Sequence, residues 1–392
     1  MEGRVFIFSP TCTERFNKLN NISCYVGAAS NKIYSISKSL SEKGIEVNNV
    51  MSPIATSEKS KKIIRGLSYH ELGISYYFMP TTSIRFLNRI LASITYLFFY
   101  IFNVRKRDRV VIYNFFPEYI FICFLGWVLS NPIILDIEDG VREDEKGIRG
   151  LANRLSFKLI NSLVRKEKIV ANTFLNSKYS NDNGFICYGA VSPIIKYNSR
   201  DDIRILNDKV KVLKVLFGGA LFKETGTELY LDMLSNIAQS EYKDNFKFYI
   251  TGYGDQDFLN KIRNEYKTLD VELLAGISQD DYFSILSECN IGLNLKIPNE
   301  DMSVTTFPSK VVEIINNDML LISTKVSDIP NIFSESEVVF LSENTGQCLA
   351  NCLTSINNNR GMIDNYQRKS KAKLVNMMSF DSVGQRLKEF MF

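Results

Sequence analysis

Lys310 and Glu313 lie three residues apart in the stretch Thr305-Thr306-Phe307-Pro308-Ser309-Lys310-Val311-Val312-Glu313-Ile314-Ile315. Proline near the start, followed by an uninterrupted helical pattern, marks a helix N-terminus. The first backbone N–H groups of such a helix have no partner inside it and stand at the positive end of its dipole. That tip attracts an anion such as a phosphate, and Lys310 adds a full charge to it. Glu313 lies one turn further on, on the same side as Ser309 and Lys310. A cation and amides for a diphosphate, with a carboxylate able to accept two sugar hydroxyls, make up what a bound nucleotide needs. The plain alternative is a capped amphipathic helix carrying a solvated lysine and glutamate.

A second set of candidates is Asp136, Glu138 and Asp139, which follow the strand-like run Pro132–Leu135 and precede Gly140. Carboxylates at the carboxyl end of a parallel strand face the crevice in which α/β proteins bind ligands. Glu138 or Asp139 is placed to act as a base toward a hydroxyl nucleophile. Asp136 reads as an acceptor-side contact, together with Asn114, Gly27 and Ala28. The last two permit close approach of a ligand at the tip of a helix expected over 31–43. This loop lacks GxGxxG, so it is not a dinucleotide fingerprint. The structural alternatives are a turn before Gly140 and a helix cap. Asp136-Ile137-Glu138 also reads as a divalent-metal site in a rival scheme.

Composition excludes much else. His70 is the only histidine, which removes most Ser/His and Cys/His nucleophile schemes. The seven cysteines are scattered and form no CxxC pair, which argues against a cysteine metal site and for reduced thiols. No metal and no cofactor is expected. The net charge of +4 is unevenly spread: residues 1–200 carry 27 Lys and Arg against 16 acids, and the remainder is acidic. A basic half points to an anionic partner. With no nucleic-acid motif, that partner reads as anionic lipid and not as DNA or RNA. Residues 83–109 carry the signal. Ile90 to Phe102 has no charge, and Arg85, Arg89, Arg105, Lys106, Arg107 and Arg109 flank it. This run is shorter than the about 20 apolar residues that span a bilayer, so it reads as a helix lying on a membrane surface. A core helix is the alternative. The chain opens Met1-Glu2-Gly3-Arg4 and goes straight into a strand, so no secretory signal is expected.

The elements that must position these residues alternate strand and helix, which means parallel sheets. Strands are expected at 5–8, 45–47, 110–113, 132–135, 169–172 and 184–189, then a linker over 191–202. A second series follows at 214–217, 246–250, 271–274, 291–295 and 320–322, with closing helices near 346–356 and 363–392. The turn Gly218-Gly219-Ala220-Leu221 follows the first strand of that series, and Gly252-Tyr253-Gly254 ends the next.

The order of these motifs, Gly218-Gly219-Ala220-Leu221 with Gly226, then Gly252-Tyr253-Gly254, the Gly276 segment and Phe307-Pro308-Ser309-Lys310, resembles the donor domain of GT-B glycosyltransferases, in particular family 4. The resemblance covers nearly all of the second half; the first half is similar in architecture only. It implies an α/β fold of two Rossmann-like domains facing across a cleft. Residues 1–195 would bind the acceptor and 196–375 the nucleotide sugar, with a last helix in 376–392 crossing back to the first domain. Donor-binding residues would be Gly218, Gly219, Gly252, Tyr253, Thr305, Thr306, Phe307, Pro308, Ser309, Lys310 and Glu313, with Glu313 on the ribose hydroxyls. The sequence departs from the family in three places: Thr305 replaces a glutamate, Ala220 an arginine and Thr225 a lysine. Lys223 and Lys310 would then supply the catalytic cations. The implied activity is retaining, metal-independent transfer from a nucleotide-diphosphate sugar to a lipid-linked or oligosaccharide acceptor. The basic, aromatic segment 83–109 suggests that the acceptor is lipid-linked, and hence bacterial surface polysaccharide assembly by a cytoplasmic protein peripheral on the inner face of the plasma membrane. The rivals are a metal-dependent transferase of the other major fold, a nucleotide-sugar epimerase and a non-catalytic membrane scaffold.

Overall fold

Strands whose two faces are both apolar bury on both sides, as parallel sheets require. In the computed structural model, which describes residues 3–22, 27–53, 63–141, 147–192, 212–274, 276–277, 279–298 and 301–392, such strands build two sheets. The chain divides into two compact units: Met1–Val191 with Met378–Phe392, and Ser192–Met377.

The strands of the first unit are β1 (Val5–Ser9), β2 (Val47–Met51), β3 (Leu67–Glu71), β4 (Ile74–Phe78), β5 (Arg109–Tyr113), β6 (Ile133–Ile137), β7 (Ile169–Val170) and β8 (Phe185–Ile186). They lie in the order β3-β4-β2-β1-β5-β6-β7-β8, all parallel except β3 against β4. On one face, helices Gly27–Glu42 and Phe380–Met391 pack with Ile33, Ile36, Leu40, Val383 and Leu387 in the core. The last helix therefore belongs to this unit; a Cβ on its Gly384 would collide with the Ser39 carbonyl, so the two helices touch backbone to backbone. On the other face lie helices Arg85–Asn103, Ile120–Val128 and Gly147–Leu163. Helix Arg85–Asn103 buries Asn88, Ala92, Tyr96 and Tyr100, one residue per turn, and the Tyr96 hydroxyl donates to the Ser9 carbonyl at 2.9 Å. By length and composition it is the one helix among the described residues able to cross a membrane. Its inner side is instead fixed to the sheet.

The second unit contains β9 (Leu213–Leu221), β10 (Phe246–Gly254), β11 (Asp270–Leu274), β12 (Ile291–Asn294), β13 (Leu320–Ser323) and β14 (Val339–Phe340), in the all-parallel order β11-β10-β9-β12-β13-β14. The order reverses between β9 and β12, the place where such sheets bind ligands. Gly292 in β12 has a role there. A Cβ on it would meet Ile314 at 2.6 Å, so the glycine lets helix Ser309–Asn316 lie close on the sheet.

Several expectations are corrected. Gly218 to Leu221 is not a turn but the end of β9, and the turn follows at Lys223–Thr225. Likewise Gly252 to Gly254 continues β10, because β9 and β10 stay paired to their ends. Asp136 lies inside β6, not beyond it. The helix expected from residue 31 begins at Gly27. The hairpin β3–β4 and strand β14 had no counterpart among the expected elements. The expected closing helix breaks at Ser379, whose side chain caps Phe380–Met391. Most of the expected linker lies outside the described residues.

Candidate functional site

In the second unit, Lys310 and Glu313 are brought to the carboxyl ends of β9 and β12. Pro308 caps helix Ser309–Asn316 through its backbone, and no side chain bonds to the cap. Val311, Val312, Ile314 and Ile315 are buried and fix the helix to the sheet, which leaves Ser309 exposed and Lys310 half-buried at the tip. The Lys310 ammonium donates to the Gly218 carbonyl at 3.2 Å and sits 5.4 Å from the Phe217 ring centroid. It therefore lies over the end of β9. Close backbone packing keeps that end open. Gly219 (φ +106) and Gly252 (φ +119) adopt left-handed backbone, and a Cβ on Gly252 would strike the Gly219 carbonyl.

Lys296, two residues past β12, is the second cation of this site and was not singled out from the sequence. It is buried, its ammonium donates to the Thr306 hydroxyl at 2.5 Å, and its carbonyl accepts from Thr324 Oγ1 at 2.6 Å. Burial, and then the Lys296 charge, push the Lys310 pKa down to about 8 from the usual 10.5. The only available clue was its place directly after a buried strand.

Glu313 accepts a hydrogen bond from the Tyr282 hydroxyl at 2.8 Å. Burial raises the Glu313 pKa, against the pull of Tyr282 and Lys310. The Tyr282 hydroxyl is held well above its usual range, first by burial and then by Glu313. Tyr282 lies on helix Gln279–Glu288, far from Glu313 in sequence, and sequence reasoning missed it.

The other expected donor residues divide. Thr305 and Thr306 are half-buried, Phe307 and Pro308 are buried, and Tyr253 is exposed with its ring edge-on to Phe222 at 6.2 Å. Thr225 has a structural task, since its hydroxyl accepts from the Phe222 N–H at 3.0 Å and donates to the Ala220 carbonyl at 2.6 Å. Lys223 is exposed and 3.2 Å from Glu228, on the turn after β9. The charges that act on Lys310 are those of Lys296, which lowers its pKa, and of Glu313, which raises it, and not that of Lys223.

The first unit brings together Asp136 and Glu138, but on a lysine. Lys32, from helix Gly27–Glu42, donates to Asp136 Oδ1 at 2.8 Å and also to Glu138 Oε2. Lys32 and Asp136 are buried; Glu138 is half-buried. Burial works against the Lys32 charge, and the two carboxylates outweigh it and raise its pKa well above normal. Burial likewise raises the Asp136 pKa, opposed by Lys32. A carboxylate occupied in this way serves packing before it serves as a base, and the rival metal site meets an ammonium lodged between its ligands. Asn114 supports the arrangement. It adopts left-handed backbone (φ 57), and its Oδ1 accepts from the Glu138 N–H at 2.9 Å. Gly27, Ala28 and Asp139 are exposed.

No family model matches the sequence, and no curated protein matches it in sequence. Solved structures do. The chain is similar to an α,α-trehalose-phosphate synthase (UDP-forming) from Burkholderia vietnamiensis, with a TM-score of 0.68 at 9% identity over 100% of this chain and 99% of that one. It is similar to sucrose-phosphate synthase from Thermosynechococcus elongatus, TM-score 0.66 at 10% identity, covering 99% and 98%. HepE from Anabaena, solved with UDP and glucose, has a TM-score of 0.66 at 12% identity, covering 99% and 98%. The fold is GT-B. At these identities the likeness is one of architecture. Within the GT-B chain described here, Lys296, Lys310 and Glu313 stand at the sheet reversal of the second unit, where that fold class binds ligands.

Proposed function

We propose that this chain is a glycosyltransferase whose second unit binds a nucleotide-diphosphate sugar. The observation that carries the reading is the pair Lys296 and Lys310. Lys310, on the Gly218 carbonyl, and Lys296, on the Thr306 hydroxyl, set two ammonium groups at the strand ends beside a helix tip. That arrangement suits the phosphates of a diphosphate. Glu313, steadied by Tyr282, takes the ribose hydroxyls. The HepE complex, described with UDP and glucose, supports the choice of ligand class.

In the proposed reaction the bond from the anomeric carbon to the diphosphate breaks and a bond to an acceptor hydroxyl oxygen forms. The hydroxyl proton passes to the departing phosphate. Negative charge gathers on that phosphate, and Lys310, Lys296 and the amides at Ser309 are positioned to stabilise it. Lys296 takes the part first assigned to Lys223. With Asp136 and Glu138 engaged by Lys32, transfer with retention, using the leaving phosphate and no carboxylate base, is the better fit. The order of the glycine and Phe-Pro-Ser-Lys motifs favours family 4. The reading needs no metal and no cofactor besides the nucleotide sugar. The first unit takes the acceptor, a lipid-linked saccharide used in bacterial surface polysaccharide assembly, and residues 83–109 hold the protein to the cytoplasmic face of the membrane.

Thermal unfolding with UDP, GDP, ADP and CMP tests the donor site. A ligand at about 100 times its Kd stabilises by about 2.7 kcal/mol, a shift of several degrees for a domain of this size. One diphosphate should raise the midpoint, and Glu313→Ala should remove the rise. No shift with any nucleotide would leave a non-catalytic scaffold as the better reading.

A further inference from the structure

Three helices of the first unit bury their inner sides in one core, against one face of the sheet. Arg85–Asn103 packs on Ile120–Val128, and Ile120–Val128 on Gly147–Leu163. Their outward sides therefore lie side by side. On the first helix, Phe86, Ile90, Ile94, Phe98 and Phe102 recur every fourth residue, and all are exposed. The second helix exposes Phe121, Phe124 and Trp127; the third exposes Leu151, Leu155 and Leu159, again every fourth residue. Phe102 is 78% exposed and Trp127 61%, values that a settled soluble surface avoids for neighbouring aromatics.

We infer that these three helices form a single face that inserts into the surface of an anionic lipid bilayer. Charge selects the occupant. None of the three helices contains an acidic residue, while Arg85, Arg89, Arg154 and Lys158 lie on them and Arg105, Lys106 and Arg107 follow the first. Apolar rows with aromatics, on helices that carry cations and no acid, match acyl chains beneath anionic headgroups; acids near them in sequence include the buried Asp108 and Glu118, and Glu143, Asp144 and Glu145 ahead of the third helix. Insertion is shallow. The inner rows of all three helices are held in the core, so no helix can leave the sheet to span the bilayer. This builds on the proposed contact of residues 83–109 and enlarges it to two helices outside that stretch.

Trp127 is the sole tryptophan of the chain and lies on the second helix, so its fluorescence reads the enlarged face alone. The full chain is mixed with vesicles of phosphatidylglycerol or of phosphatidylcholine, with and without bromine on the acyl chains. We expect a blue shift and at least twofold quenching by brominated anionic vesicles, and little change with zwitterionic ones. Leu155→Asp should weaken co-sedimentation about tenfold, with the unfolding midpoint of the free protein unchanged. Binding without quenching of Trp127 would confine contact to the first helix and overturn the inference. So would absence of binding, or a doubling of mass in solution showing that a second copy covers the face. The nucleotide-induced shift of the midpoint, measured on the same samples, reports on the transferase reading independently.

Discussion

Two clusters of charge sit at the ends of parallel strands, one in each unit, and they are built in opposite ways. In the first unit Lys32 stands between Asp136 and Glu138, and its pKa is raised. In the second, burial and then Lys296 lower the Lys310 pKa, and Glu313 offsets them only in part. A lysine whose charge is matched within the protein has completed its work on folding. A lysine that is buried near a second lysine, with one carboxylate to offset it, is costly until a further anion arrives. The contrast separates structure from function more cleanly than residue type does, since carboxylates at strand ends look catalytic on paper.

The largest effect that would break this contrast is at Lys32. Removing one partner of a buried ion pair strands the other, and Lys32→Met should cost about 3–5 kcal/mol in urea unfolding. Replacing the pair together, Lys32→Met with Asp136→Leu, should recover much of the loss. Nucleotide binding by the folded fraction should be unchanged in both. If Lys32→Met left stability within about 1 kcal/mol of the parent and abolished transfer, the first cluster would be functional and the comparison would fail.

At Lys310 the signs should reverse. The unfolded chain binds more protons than the folded one between pH 8 and 10.5, so the cost of the charged lysine is full below 8 and fades above it. Lys310→Met should therefore stabilise the free protein at pH 7, by about 1–2 kcal/mol once the partial exposure of the ammonium is allowed for. The same substitution should weaken diphosphate binding by about 2–3 kcal/mol, the usual value of a hydrogen bond to a charged group. A variant both less stable and still binding would place Lys310 among the structural lysines.

The smallest effect sharpens the account of Glu313. Tyr282→Phe removes one hydrogen bond to a carboxylate and should weaken nucleoside diphosphate binding by about 1 kcal/mol. It should leave binding of inorganic pyrophosphate unchanged, because the ribose hydroxyls and not the phosphates would be affected. Titration calorimetry with the two ligands separates these outcomes.

What could be read from the chain was what is local in it. Lys310 and Glu313 fall within one helical turn, and proline marked its start, so their association needs no tertiary knowledge. The alternation of strands and helices similarly gave two parallel sheets. Lys32 and Asp136 are 104 residues apart and meet only because β6 and helix Gly27–Glu42 close on the same core. Tyr282 reaches Glu313 across 31 residues for the same reason. The hairpin β3–β4 was hidden by its turn. Leu72 and Gly73 both take positive φ (51° and 80°), a two-residue turn in which leucine stands where asparagine is the recognisable signal. Glycines 218, 219 and 252 were rightly marked as special but misread as turns; β9 and β10 run on paired through them, Gly218 and Gly252 pack too closely on β10 and β9 for a side chain, and Gly219 is set apart by its positive φ.

The most direct measurement is calorimetric titration of the nucleoside diphosphate that shifts the midpoint, across pH 6.5 to 9.5 and in buffers of different ionisation enthalpy. A diphosphate favours the charged form of Lys310, whose pKa is about 8 in the free protein. Affinity should be full below pH 8 and fall as pH rises above it, with proton uptake on binding that disappears in Lys310→Met. Affinity independent of pH through this range, with no proton taken up, would contradict the assignment of Lys310 as the phosphate cation.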